Sequence, residues 1–225
     1  MSWVRRFRRG AVAWLAATCL YGFGSTQGTA EEPARYRLDA PHSRFLVTAR
    51  SAGLLKFLGH DHTVAIRAFS GEVTLTPESV TPASLTLTIP ADSLLVLDPQ
   101  VSAEDRDQIQ RDMLTKALES ERFPQIVFKS TEVEAKQKRT GQYLLKLTGD
   151  LTLHGITRPV RLAALLTLSA DSLRARGQFR LKQKAFGMKP VSAGGGTVRV
   201  SNELEFAFDI RGHRVRTGDV SENQP

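Results

Sequence analysis

Between residues 202 and 210, Leu204, Phe206, Phe208 and Ile210 alternate with Glu203, Glu205 and Asp209. Successive side chains of an extended chain point to opposite faces, so such a run has one apolar and one wetted face and rests half-buried in a sheet. The same alternation recurs at residues 84–89, where Leu85, Leu87 and Ile89 oppose Ser84, Thr86 and Thr88. It recurs again at 173–182, where Leu173, Ala175, Phe179 and Leu181 oppose Arg174, Arg176, Gln178, Arg180 and Lys182. Less regular runs at 43–50, 64–69, 72–76, 125–133, 143–153 and 160–168 read as further strands. Turn formers separate them: Gly71, Pro77, Pro82, Pro124, Gly141, Gly149-Asp150, Gly155 and Gly194-Gly195-Gly196.

One stretch departs from this period. Ser102 stands three residues before Asp105, and helix formers follow to Ser120. Ile109, Met113, Ala117 and Leu118 fall on one helical stripe with Leu114 beside it. This predicts a single amphipathic helix of about four turns lying on a β structure as a lid or flank. Many antiparallel strands with one helix point to a barrel or sandwich. The basic face of 173–182 and the acidic face of 203–209 would match if those strands were antiparallel neighbours joined through 183–196.

The amino terminus does not belong to this pattern. Arg5, Arg6, Arg8 and Arg9 precede an apolar run at 11–21, and Gly28 and Ala30 sit at −3 and −1 of an expected cut before Glu31. The apolar run is shorter than the ~20 residues that span a bilayer, and the arrangement reads as a secretory signal peptide over 1–30. Removing 30 of the 225 residues would leave 195, one domain over 31–212 with a polar tail at 213–225, and no transmembrane segment. The four arginines are uncompensated, so the formal charge would fall from +8 to +4. Cys19, Trp3 and Trp14 would leave with the segment. An exported chain without cysteine has no disulfide framework, thiolate metal site or cysteine nucleophile. Ala16-Ala17-Thr18 lacks the leucine and small final residue that would mark Cys19 for lipid attachment. The arginine stripe has no interleaved aromatics on which bases could stack, so a matched sheet face is preferred to a nucleic-acid groove.

Gly59-His60-Asp61-His62 is the densest group of candidate ligands. On a strand His60 and His62 would share a face, which makes a two-imidazole metal pair an alternative to a turn. Closed zinc sites need four ligands and catalytic ones three, and only folding could bring in His42, His154 or His213. No G-x-S-x-G, H-E-x-x-H, P-loop or dinucleotide-binding glycine pattern occurs, and the triple glycine precedes a strand instead of a helix. No enzyme is indicated.

Tyr36-Arg-Leu-Asp39 with His42-Ser43 resembles the opening strand of the YceI-like proteins. Phe69-Ser-Gly71 is similar to that family's second segment. Asp112-Met-Leu114, Phe123-Pro-Gln-Ile126 and Phe128-Lys-Ser-Thr131 resemble its helix-to-strand signature. Leu151-Thr-Leu-His-Gly-Ile-Thr-Arg-Pro-Val160 is similar to its most recognisable motif, and Phe186-Gly187 with Val198-Arg-Val200 to its last loop and strand. The resemblance runs from about Tyr36 to Arg211. It implies a mainly β fold, an extended antiparallel lipocalin-like β-barrel with one amphipathic α-helix. It also implies export to the periplasm and a long isoprenoid or similar amphiphile in the interior. The chain departs from the family at 53–62, which carries an inserted apolar run and a second histidine and is expected at the barrel mouth.

The reading is a non-enzymatic periplasmic carrier of a long apolar lipid, with no cofactor, metal or nucleic acid. The expected ligand-facing residues are Phe45, Val47, Leu85, Leu87, Phe128, Leu162, Phe179, Phe206 and Phe208. An open hydrophobic mouth would be compatible with a homodimer. The alternatives are a metal- or haem-associated redox accessory using His60 and His62, and a fully packed barrel that binds nothing.

Overall fold

The computed structural model describes residues 32–52, 61–193 and 198–216. The expected signal peptide, residues 53–60 with His60, the triple glycine and residues 217–225 lie outside the described residues. The strands are β1 (Ala34–Ala52), β2 (His62–Ile66), β3 (Ser70–Leu75), β4 (Ala83–Pro90), β5 (Leu94–Val96), β6 (Gln125–Arg139), β7 (Gln142–Leu153), β8 (Ile156–Leu168), β9 (Ser172–Lys182), β10 (Ser192–Ala193) and β11 (Val198–Arg214). The helix α1 is Ala103–Asp112.

Eight strands close into an antiparallel barrel in the order β1-β3-β4-β6-β7-β8-β9-β11, with β11 returning to β1. Full closure leaves these strands no free edge. β1 can serve three neighbours because it is long. It pairs β11 along its length, β3 through Ala34–Arg37 and β2 through Leu46–Ala49. Its two halves are joined by a bulge in which residues 40–43 lie between the pairs Asp39↔Arg211 and Arg44↔Asp209. Pro41 is tolerated there because it owes the ladder no N–H. The Ser43 hydroxyl donates to the Asp39 carbonyl and accepts from Arg211 N–H at 2.9 Å, which replaces lost ladder bonds.

The tight connections follow the turn formers. His154 and Gly155 both have positive φ, 52° and 71°, as a two-residue hairpin turn between β7 and β8 requires. Gly149-Asp150, expected to turn, instead lies inside β7, and Gly71 lies inside β3. At Gly149 a Cβ would meet Phe128 Cζ at 2.5 Å, so the missing side chain makes room for a ring from β6. Gly177 does the same for Phe208 across the β9–β11 pair.

β9 and β11 are antiparallel neighbours, with Arg180 opposite Glu205 and Arg176 opposite Asp209. The stripes meet as their composition predicts: Arg174 forks onto Asp209 through Nε at 2.7 Å, and Arg180 reaches Glu205 at 3.1 Å. β11 runs two residues beyond the expected domain boundary, so His213 belongs to the sheet and faces Ser172.

α1 begins as expected, with Ser102 Oγ accepting from Asp105 N–H at 3.1 Å. It does not continue regularly to Ser120. From Met113 to Ala117 the chain widens into a π-helical turn, closed by Leu118 N–H on Met113 C=O at 2.9 Å. The wider turn brings both Ala117 and Leu118 into the core. β5 has one edge on β2, and Gln110 occupies the other. The carboxamide of Gln110 accepts from Val96 N–H and donates to Leu94 C=O, both at 2.8 Å.

Candidate functional site

The inward faces of the strands do not fill the barrel. They enclose a cavity of about 740 Å³, within the usual range for small-molecule sites of ~300–1,000 Å³. This departs from the packed-barrel alternative. All nine residues expected to face a ligand line the cavity. Direct cross-strand pairing explains the grouping, because partners in register project from the same face. Phe45 pairs with Phe208, Val47 with Phe206, Phe206 with Phe179, and Leu87 with Phe128.

The rings form one connected wall. Phe179 and Phe206 stack with centroids 4.6 Å apart and planes 11° from parallel. Phe45 meets Phe206 and Phe208 edge-on at 6.4 and 6.1 Å. Leu85 and Leu162 extend the apolar lining to other staves. On the helix side, Ile109, Met113, Ala117 and Leu118 also face the cavity, as their helical stripe predicts. The helix is therefore part of the wall.

At the end of the barrel where β1 pairs β3, the loop after β3 contributes Val80 to the wall. Val80 has φ 66°, an unfavourable setting for a β-branched residue, and is 1% exposed beside the equally buried Leu75. Burial of its side chain, worth ~1.5–3 kcal/mol for a residue of this kind, offsets the backbone cost. Tyr143 holds the loop by donating its hydroxyl to Glu78 C=O at 3.1 Å.

Among the described residues, the histidines do not gather at one site. His62 Nδ1 bonds Asp98 Oδ2 at 2.6 Å, while His60 is outside the described residues. His154 bonds Glu119 at 3.0 Å. His42 and His213 share Asp39, at 2.8 and 2.7 Å from its Oδ2. Partial desolvation pushes the Asp39 carboxyl up, but hydrogen bonds from His213 and His42 together outweigh it and hold it below its ordinary value. His62, His154 and the His42–His213 pair are thus served by three different carboxylates. Among the described residues, no group of three or more His, Cys, Asp or Glu is placed to hold a metal ion. Asp98, buried at 4%, escaped the sequence reading because it lies 36 residues from its partner with no local motif around it.

A closed antiparallel barrel with an internal apolar cavity and one flanking helix defines a lipocalin-like, extended-barrel class of protein. The chain belongs to the YceI-like domain family, whose model matches residues 36–211. It is 30% identical over 158 residues to a UPF0312 protein of Enterobacter sp. (strain 638), covering 66% of this chain and 74% of that one. Its fold is similar to that of Burkholderia cenocepacia BcnA, with TM-score 0.58, 19% identity, and 77% and 98% of the two chains covered. It is also similar to a polyisoprenoid binding domain from Saccharophagus degradans, with TM-score 0.55, 13% identity, and 80% and 98% covered. The Campylobacter jejuni YCEI protein matches at TM-score 0.52 and 16% identity, with 68% and 85% covered. Among the described residues, no helix is long and apolar enough to cross a membrane.

Proposed function

We propose that the protein is a non-enzymatic periplasmic carrier that holds a long-chain isoprenoid or similar lipid inside its barrel. The observation that carries this reading is the cavity itself: about 740 Å³, walled by connected phenylalanine rings and aliphatic side chains. A folded chain gains by filling such a space, because unoccupied apolar walls forgo dispersion contacts. The name of the Saccharophagus degradans neighbour, a polyisoprenoid binding domain, supports the ligand class. The basic, apolar and small-residue order of residues 1–30 supports export.

Organic extraction of the purified protein followed by mass spectrometry tests the reading. The expected result is a lipid near one per chain. A protein that carries no lipid, and takes up none when long-chain isoprenoids are added, would not be a carrier. Intact mass tests export: the expected chain starts near Glu31 without Cys19, and a retained amino terminus overturns that part.

A further inference from the structure

The cavity lining is uneven along its length. Toward the end where β1 pairs β3 it is built from Leu38, Leu75, Val80, Leu166 and Leu173. Apart from Ser84, the polar lining lies toward the helix end: Ser51, His62, Gln100, Ser102, Asp105 and Gln108, with Asp112 and Gln183. Among the described residues, no lysine or arginine lines the cavity.

Within this polar end, His62 is held in a fixed setting. Its side chain is 22% exposed and that of Asp98 only 5%. Asp98 Oδ2 takes the imidazole Nδ1 at 2.6 Å, and Oδ1 takes Thr63 N–H at 2.7 Å. A carboxylate only accepts, so the ring proton sits on Nδ1, and Nε2 of the neutral ring is an acceptor. Among the described residues, nothing bonds that nitrogen. The chain therefore supplies an oriented acceptor at the polar end of an otherwise apolar chamber.

We infer that His62, positioned by Asp98, is the head-group subsite of the cavity. It accepts a hydrogen bond from the hydroxyl of an uncharged alcohol or phenol whose hydrocarbon chain lies along the phenylalanine wall. This rests on the carrier reading. The charge pattern selects the class. Among the described residues, a phosphate or carboxylate head group would find no lysine or arginine in the lining and would meet Asp105 and Asp112, and an unpaired charge in such a place is costly. A cationic head group has little to gain, because those carboxylates are already engaged by Ser102 and by Lys116 with Gln108.

The test uses delipidated protein from expression of the full chain, titrated with a C20 isoprenoid alcohol, the matching hydrocarbon and the monophosphate ester. The wild type is expected to bind the alcohol about two- to ten-fold more tightly than the hydrocarbon, the range for one neutral hydrogen bond. It is expected to bind the monophosphate more weakly than the alcohol. His62→Phe keeps an aromatic ring and removes the acceptor, so its alcohol preference should vanish while hydrocarbon affinity stays. A preference that survives in His62→Phe overturns the assignment to His62. Equal affinity for alcohol and hydrocarbon in the wild type, or tighter binding of the monophosphate, overturns the head-group class and leaves the carrier reading intact. Failure to bind any of the three overturns both. The wild-type panel decides the head-group class even if the variant does not fold.

Discussion

Phe206 shows how a single residue serves both wall and core. It stacks on Phe179, meets Phe45 edge-on and faces the cavity. In a filled core, a larger ring at such a position costs ~1–3 kcal/mol through overpacking. Here the open volume receives the extra ring. Phe206→Trp is therefore expected to lower the stability of the lipid-free protein by less than about 1 kcal/mol and to reduce co-purified lipid. Melting temperature and lipid content check this, and wild-type lipid content in a stable variant would remove Phe206 from the site. Trp3 and Trp14 lie in the segment expected to be removed, so in processed protein the new indole reports its own surroundings by fluorescence. The nine strand residues expected to face a ligand were legible from alternation, because period two assigns a face without knowledge of partners. Asp98 and Gln110 were not, since each is defined by a partner distant in sequence. Gly149 was misread for the same reason: the ring that needs its empty space belongs to another strand.

At the scale of elements, β9 and β11 carry the charge match that their sequences imply. The Arg174 guanidinium beside Asp209 holds the Asp209 carboxyl below the usual range, and Arg50 does the same for Glu205. These pairs are exposed, and such pairs contribute little and are screened by salt. Arg174→Glu places like charges together, and the expected fall in melting temperature is no more than about 2–4 °C, smaller at high salt. Thermal melts at two ionic strengths check it, and a salt-independent loss would show that the pairing matters through packing. The helix was legible as far as its cap and apolar stripe. The π-helical turn was not, because no local residue pattern distinguishes it from a regular helical turn. β5 was missed because three residues are too few to show a period.

At the scale of the whole molecule, five carboxylates among the described residues lie below their ordinary values: Asp209, Glu72, Glu205 and Asp112, held by Arg174, Arg35, Arg50 and Lys116, and Asp39, where partial desolvation is outweighed by hydrogen bonds from His213 and His42. A carboxyl whose folded pKa is depressed stabilises the fold fully above the unfolded value. That contribution is lost as pH falls through the folded value. Stability from these groups is therefore expected to hold from pH 7 to about 5 and to decline below about pH 4, more steeply at low salt. Melting temperature against pH checks this, and a decline beginning near pH 6 would show that these carboxylates do not set it. The barrel closes eight strands on themselves, yet the β2–β5 arm stands outside that closure, and Gln110 takes the place of a further strand on it. A vacant ladder of this kind can recruit the same ladder from a neighbouring molecule, and the event becomes commoner as copies crowd together. Gln110→Ala should leave the dilute protein folded and make its light scattering rise with concentration. One carboxamide would then separate a chain that stays solitary in a crowded compartment from one that recruits its own kind.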